Sequence, residues 1–539
     1  MANKILLQNR YFPWQQCTFD QSKIYYKGHA FINNTLAALG QISQQLISDI
    51  ESGDNERIKG FLSKLNGTFC IVIETPSHIF ATVDFLRSIP LFYATSNQEF
   101  HLSDDANVLR NLLNSSINEL NATEFLLSGY VTGPRTLCDN IKQLETGQYL
   151  IYEKQMKKLH TIFFFRFYHH DFFRESEDEL IQRLDNVIID VFKRLIQSTI
   201  DKGKKIVVPL SGGLDSRIIV TMLKRLGVKE VLCYTYGRKN DVNVKISRQV
   251  AESLGYSWKF VKYSHKMLYD VYHSEGMREF QKYAGNLTSL PHNQDFFAVR
   301  EMKQQGMLSR DSVLVPGHSG DMLTGSDHSY SYFKNGDYIL DAVSIHILKG
   351  LYSLCKFSNE DLHDFLIKQI KDSLGSLEVY DNETAADAIE MFDFNNRQAK
   401  FLINSVRSYE FFGFGWRIPW WDFCLIDFFL KVPLKYRIGQ SLYIKYARSL
   451  FDKNFPFLNS IECTTFSGER LCSPLYRGKP IKNYIFKSPL YGSLFIFPIL
   501  QSTFYPKPSK YLKSNKKFNF IILPSLNLLH NKSYLDLVL

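Results

Sequence analysis

The chain lacks any long apolar run. Its most apolar late stretch, LYGSLFIFPILQSTF at 490–504, is interrupted by Gly492 and Pro498. It falls short of the roughly 20 apolar residues that a spanning helix needs. We read it as core or as a partner surface. The aromatic, basic C-terminal stretch also has the make-up of a peripheral membrane contact. The opening MANKILLQNRYFPWQQ has no apolar centre of the signal-peptide kind, so no transmembrane segment and a cytoplasmic location are expected. Cysteine is sparse and scattered. Cys17, Cys70, Cys138, Cys233, Cys355, Cys424, Cys463 and Cys472 include no CxxC pair, which argues against a zinc or dithiol redox site. A dense Lys/Arg stripe is also missing. The net charge of +10 comes from 64 basic and 54 acidic residues, a mild excess that helps attract an anionic substrate and does not point to nucleic acid. No internal repeat or low-complexity segment stands out. The 539 residues, 45% hydrophobic and 22% charged, exceed one globular core and suit two or three domains.

What is present is KKIVVPLSGGLDSRIIVTMLKRLG at 204–227. Ile206, Val207 and Val208 read as a buried strand over 206–210. Ile218, Ile219, Met222, Leu223 and Leu226 recur at helical spacing. Ser211–Ser216 therefore turns a strand into a helix start, where unpaired backbone N–H groups favour an anion. Gly212 and Gly213 let a bulky anion approach the main chain, and Ser211 and Ser216 add hydroxyl donors. The run is neither GxGxxG nor the P-loop. Asp215 beside a phosphate site makes sense if Mg²⁺ lies between them.

Residues 1–170 read as β-rich. GTFCIVIE (67–74) and HIFATVDF (78–85) flank Thr75-Pro76-Ser77 as a hairpin. The segments 91–105 and 147–165 continue the pattern. Residues 178–199 form an amphipathic helix, and the charged 170–178 marks a domain boundary. From 204 the pattern alternates: strand 206–210, a helix, strand 230–236, helix 243–254, strand 258–263. Such alternation predicts a parallel sheet covered by helices, with ligands at the carboxyl ends of strands. A third apolar run, Val313–Val315, leads into PGHSGDMLTG (316–325). Two such loops can set Asp215 and Asp321 around one Mg²⁺.

SGGLDS resembles the pyrophosphate loop of the ATP pyrophosphatases. Along most of 1–450 the chain resembles the glutamine-dependent asparagine synthetase family, to which β-lactam synthetase and lasso-peptide cyclases are related. LNGTFCIVIE and VDFLRSIPLFY (83–93) are similar to that family's LNGMFAFAL and RDRLGIKPLYY, with Asp84, Pro90, Leu91 and Tyr93 coinciding. CYTYG (233–237) falls on the family's adenine-side FSVG, and AESLG (251–255) on the helix end after it. PGHSGDMLTG aligns with SGEGSDELFG through Gly317, Asp321 and Gly325, and His318 replaces an acceptor-site glutamate. GFGWRIPWWD (413–422) resembles GVEARVPFLD through Arg417, Pro419 and Asp422, with Gly415 for glutamate. YIKYARSLF (443–451) resembles the helix that carries a phosphate-stabilising lysine, with Lys445 one residue out of register.

The resemblance implies an α/β protein. An Ntn-hydrolase-like αββα glutaminase-type domain (1–172) is expected, then a doubly wound parallel-sheet ATP pyrophosphatase domain (173–460), then an extension (461–539) of unassigned role. It implies ATP binding by Leu210, Ser211, Gly212, Gly213, Leu214, Asp215, Ser216, Tyr236 and Gly317. It also implies Mg²⁺ on Asp215 and Asp321, and catalytic duties for Lys445, His318 and Arg417. His318 serves equally as a base near neutral pH or as a structural donor. The family's N-terminal nucleophilic cysteine is replaced by Ala2 after Met1, and Cys17 has no α-amino base beside it. This half is therefore expected not to hydrolyse glutamine. The implied partners are a small-molecule or glycan carboxylate and ammonia or an amine, with a separate glutaminase as one source. A homodimer is compatible with the resemblance. The implied activity is an ATP-dependent amide-forming ligase acting on aspartate, a uronic acid of a surface polysaccharide, or a peptide. A tRNA-modifying enzyme of the same loop class and a non-catalytic ATP-binding homologue are the alternatives.

Overall fold

The structure, a computed structural model, describes residues 3–96, 98–325, 339–354, 356–357, 359–461 and 520–521. Ala2, the run 490–504 and nearly all of the 461–539 extension lie outside the described residues.

In the first half, Asn66–Glu74 is apolar on both sides because both of its faces are covered. It is an inner strand of a seven-stranded sheet whose main path runs Lys158–Phe163, Gln148–Glu153, His78–Val83, Asn66–Glu74, Ser22–Ile32, Gln15–Phe19. Phe69, Ile71 and Ile73 pack with Ile42, Leu46, Ile58 and Leu62 of the helices Leu39–Ser52 and Asn55–Leu62. Cys70 and Val72 point the other way, toward Tyr93, Phe100 and Leu102 of a second, four-stranded sheet. That sheet is backed in turn by Ala106–Leu113 and Glu119–Ser128. The result is a four-layer αββα stack. The expected hairpin is present, with the Thr75 N–H donating to the His78 carbonyl across the turn.

The second half is a five-stranded parallel sheet ordered Ser257–Lys262, Val231–Gly237, Lys205–Pro209, Ser312–Leu314, Gly415–Trp416. The strands expected at 206–210, 230–236 and 258–263 are each there, shifted by one residue. The chain leaves Lys205–Pro209 in one direction and later returns on its other side at Ser312–Leu314. The carboxyl ends of those two strands therefore flank the point where the strand order reverses. Such a crevice receives ligands in open α/β sheets.

The amphipathic helix spans Glu177–Ser198 and opens with a capping box of Ser176 and Glu179. Residues 382–411 form one rod in successive windings. It is α over Asn382–Phe392, π over Asp393–Leu402, 3₁₀ over Ile403–Val406 and α over Arg407–Phe411. From this rod the Lys400 ammonium donates to the carbonyls of Val131 and Gly133 in the first half. Asn396 Oδ1 accepts from the Gly133 N–H. Among the described residues no helix is long and apolar enough to cross a membrane.

Candidate active site at two strand ends

The first loop is closed by its own serines. The Ser211 N–H donates to Ser216 Oγ (3.0 Å), the two hydroxyls lie 3.0 Å apart, and the Gly213 N–H donates to Ser211 Oγ (3.1 Å). Helix Leu214–Arg225 then begins with Gly213 as its cap and no side-chain acceptor. Its first-turn N–H groups are left for an anion. Leu210 is tied to the neighbouring strand through the Tyr234 carbonyl (2.8 Å), and Tyr236 on that strand stacks on Tyr263 at 5.1 Å.

The second loop packs directly on the first. A Cβ on Gly317 would lie 2.8 Å from the Ser216 nitrogen, and one on Gly320 would lie 2.7 Å from the Asp215 carboxyl carbon. Neither distance is sterically allowed, so glycine at both positions is what lets the loops touch. Ser319 between them takes φ +70°. This contact sets Asp215 against the start of the loop that carries Asp321. Tyr443 donates to Asp215 Oδ1 (2.6 Å). The Met322 N–H donates to Asp321 Oδ1 (2.9 Å).

Burial, then the charge of Asp321, raises the Asp215 carboxyl well above the usual carboxylate range. Asp321 is raised too, by burial, against the opposing pull of Arg397. Arg397 is itself 3.2 Å from Asp393. Gln398 donates to Asp393 (2.7 Å) and accepts from Ser319 (2.8 Å). The π-helical segment therefore supports the acidic loop from below.

Among the described residues no group of three or more potential metal ligands occurs. Two carboxylates that raise the cost of ionising one another, beside a phosphate-type loop, still fit Mg²⁺. That ion is usually held by one or two carboxylates and completes its shell with phosphates and water.

Three expected residues are placed differently. The Lys445 ammonium rests on Glu177, on the half-exposed side of its helix, and not on the loop. The buried face of helix Ser441–Asn454 is Leu442, Tyr443, Tyr446, Ala447, Leu450 and Phe451, and Lys445 falls outside that stripe. Arg417 caps the last turn of Glu177–Ser198 through the Ser198 carbonyl (3.1 Å) and hydroxyl (3.0 Å). His318 shares a 2.7 Å hydrogen bond with Ser405 Oγ. Burial and the nearby His292 push its imidazole down to about 3. A ring neutral at every physiological pH is a hydrogen-bonding group and not a base poised near neutrality. Gly415 sits in the edge strand against Val313. Tyr443, Arg397 and Gln398 were missed. The i, i+3, i+4 apolar spacing of 443–451 carried the signal for Tyr443.

Residues 188–456 match the family model described as asparagine synthase, and residues 55–163 match one described as a glutamine amidotransferase domain. No curated protein sequence matches the chain. Among solved structures it is similar to NMN synthetase from Francisella tularensis, at 14% identity over 28% of this chain and 58% of that one, TM-score 0.18. The NH₃-dependent NAD synthetase from Campylobacter jejuni is 14% identical over 36% and 78%, TM-score 0.19. Glutamine phosphoribosylpyrophosphate amidotransferase from B. subtilis is 11% identical over 45% and 71%, TM-score 0.19. The chain thus spans less than two thirds of the first of these proteins.

Proposed function

We propose that this protein is an ATP-dependent ligase that forms a carbon–nitrogen bond. The observation that carries the reading is the packing of Gly317 and Gly320 onto Ser211–Ser216, which unites the phosphate-type loop with Asp215 and Asp321. The asparagine synthase match across 188–456 supports it. A substrate carboxylate oxygen attacks the α-phosphorus of ATP. The bond to the bridging oxygen breaks and pyrophosphate leaves with the electron pair. Ammonia or an amine then attacks the acyl carbon, loses a proton and expels AMP.

In this reading the N–H groups of 211–216 hold charge that grows on the phosphates. Leu210, Tyr236 and Gly317 border the nucleotide. Asp215 and Asp321 would hold Mg²⁺, which supplies charge neutralisation at the leaving pyrophosphate. Tyr443 fixes the Asp215 carboxylate. We divide the chain for this purpose into 1–172, 173–460 and 461–539.

In this reading the first half does not hydrolyse glutamine. Among the described residues, burial raises the thiols of Cys70, Cys138, Cys233 and Cys424. Cys17 lies exposed on a strand. The nitrogen donor is then ammonia or an amine from outside the chain. The acid is aspartate, a hexuronic acid or a peptide carboxylate.

The test is release of AMP and pyrophosphate from Mg-ATP with ammonium and a panel of such acids. AMP should appear with one acid class, with ammonium supporting turnover and glutamine alone failing to. Tight ATP binding with no AMP from any acid would turn the reading to a non-catalytic nucleotide-binding homologue.

Within the same assay Tyr443→Phe should lower kcat/KM about tenfold or more. It removes one hydrogen bond to a charged group, worth about 1.5–3 kcal/mol. Lys445→Met should stay within about threefold, since an exposed ion pair contributes about 0–1 kcal/mol. The reverse ranking would return the lysine to the site.

A further inference from the structure

The junction of the two halves holds a pair of buried arginines. Arg87 comes from the loop after strand His78–Val83 in the first half, and Arg407 from the end of the helical rod in the second. Each reaches across. Arg87 Nη1 donates to the Ala399 carbonyl (3.0 Å), and Arg407 Nη2 donates to the Ser88 carbonyl. Both side chains are buried, at 2% and 3% exposure. The Nε of each has no partner among the described residues. A buried donor left in this way costs stability unless something accepts from it.

Both arginines line one small cavity together with Lys27, Asn286, Asn404 and Asp104. It offers about 10 Å³ to the centre of a water-sized particle, close to the space one such occupant needs. It shares Asn9, Asp104, Tyr283 and Asn286 with an open cleft of about 750 Å³.

The charges decide what the occupant is. Lys27 is paired with Asp104 at 3.3 Å, and Arg407 with Glu410 at 2.5 Å. Arg87 has no carboxylate within 4 Å among the described residues. Asp84, nearest in sequence, spends its oxygens on the N–H groups of Phe69, Leu86 and Ser88. Burial, then the repulsion of Arg407, pushes the Arg87 guanidinium down to about 9 against the longer-range pull of Asp84 and Glu145. Arg87 also holds φ +60°, a backbone shape that non-glycine residues rarely take.

We propose that Arg87 and Arg407 form a site for one small monovalent anion, halide-sized or the head of a compact carboxylate, bound across the junction of the two halves. Their two Nε–H groups donate to the anion, which puts a negative charge in direct contact with Arg87. The inference does not depend on the ligase reading.

The full chain tests it. Its Tm would be followed in sodium chloride, bromide, formate and gluconate at one ionic strength. Saturable stabilisation by a few degrees in a small anion, absent in gluconate, is expected. Halide alone or formate alone would identify the source. Arg87→Gly, which suits φ +60°, should abolish that dependence. Crystals grown in bromide should show anomalous density between the two guanidinium groups. The same Tm in all four salts, an unchanged anion dependence in Arg87→Gly, or crystals with bromide elsewhere but not there, would overturn the proposal.

Discussion

Asp215→Asn should fold, hold its loop, and release pyrophosphate at least about 10³-fold more slowly than wild type. The amide keeps the shape of the carboxyl and still accepts from Tyr443, whose hydroxyl is 2.6 Å away. What it loses is charge. In the proposed reaction that charge is half of the protein's hold on the cation facing the leaving pyrophosphate. Losses of about 10²–10³ are usual when one charge-stabilising group is deleted from such a site. A thousandfold corresponds to about 4 kcal/mol. Stability should move the other way. Asp215 and Asp321 are both held above the usual carboxylate range, Asp215 by burial and then by Asp321. Removing one charge relieves that repulsion, so the metal-free variant should melt a few degrees higher than wild type. A general folding defect would lower activity and Tm together. The informative pairing is therefore lost pyrophosphate release with an unchanged or raised Tm. Retention of more than a tenth of the activity would sink the assignment of Asp215.

Arg194→Met should cost about 3–5 kcal/mol of stability, read as a lower denaturant midpoint or Tm. Arg194 is 3% exposed and grips Asp422 with two 2.7 Å bonds. Its third nitrogen donates to Asn34 Oδ1 at 2.6 Å. Asp422 also accepts from Asn66 (2.9 Å) and from the Cys424 N–H at the start of helix Phe423–Leu430. One ion pair thus joins the long helix, the first half and the segment after the edge strand. Removing one partner of a buried pair leaves a charge without compensation, which accounts for the cost. Arg194→Met with Asp422→Leu should recover part of the loss, since no unpaired charge remains. It should not recover all of it, because Asp422 is also a helix cap worth about 1 kcal/mol. A single variant as stable as wild type would show that the pair contributes nothing.

The site was legible where chemistry and periodicity spoke together. Ser211–Ser216 stood out because two glycines and an aspartate sat between a buried strand and an amphipathic helix. The second loop stood out because it repeated that grammar after Val313–Val315. Both readings needed only neighbours in sequence. Lys445 lies away from the loop; its reading weighed residue type above helical phase. Its helix turns Tyr443 inward and the lysine outward. Arg417 is found on a helix end, which a charged residue in a motif can serve as readily as a substrate. The strand Gly415–Trp416 is two residues long and has no period to detect. Arg397 and Gln398 were invisible for a different reason. Their positions depend on a π-helical winding over Asp393–Leu402, and the side-chain pattern there does not announce five residues per hydrogen-bonded step in place of four.

That winding makes length itself a heritable property of the segment. Asn396 at its start is bonded to Gly133 of the first half, Gln398 in its middle to Ser319, and Arg407 beyond its end to Ser88. Loss of one codon between 393 and 402 would let the backbone relax toward ordinary α-helix, and everything after it would turn by about 100°. The acidic loop and the half-to-half junction would lose their supports in one step, although neither would itself have been altered. Exchanges of one side chain for another there would act singly and by degrees. A lineage of such chains can therefore vary the letters of this decapeptide far more freely than their number.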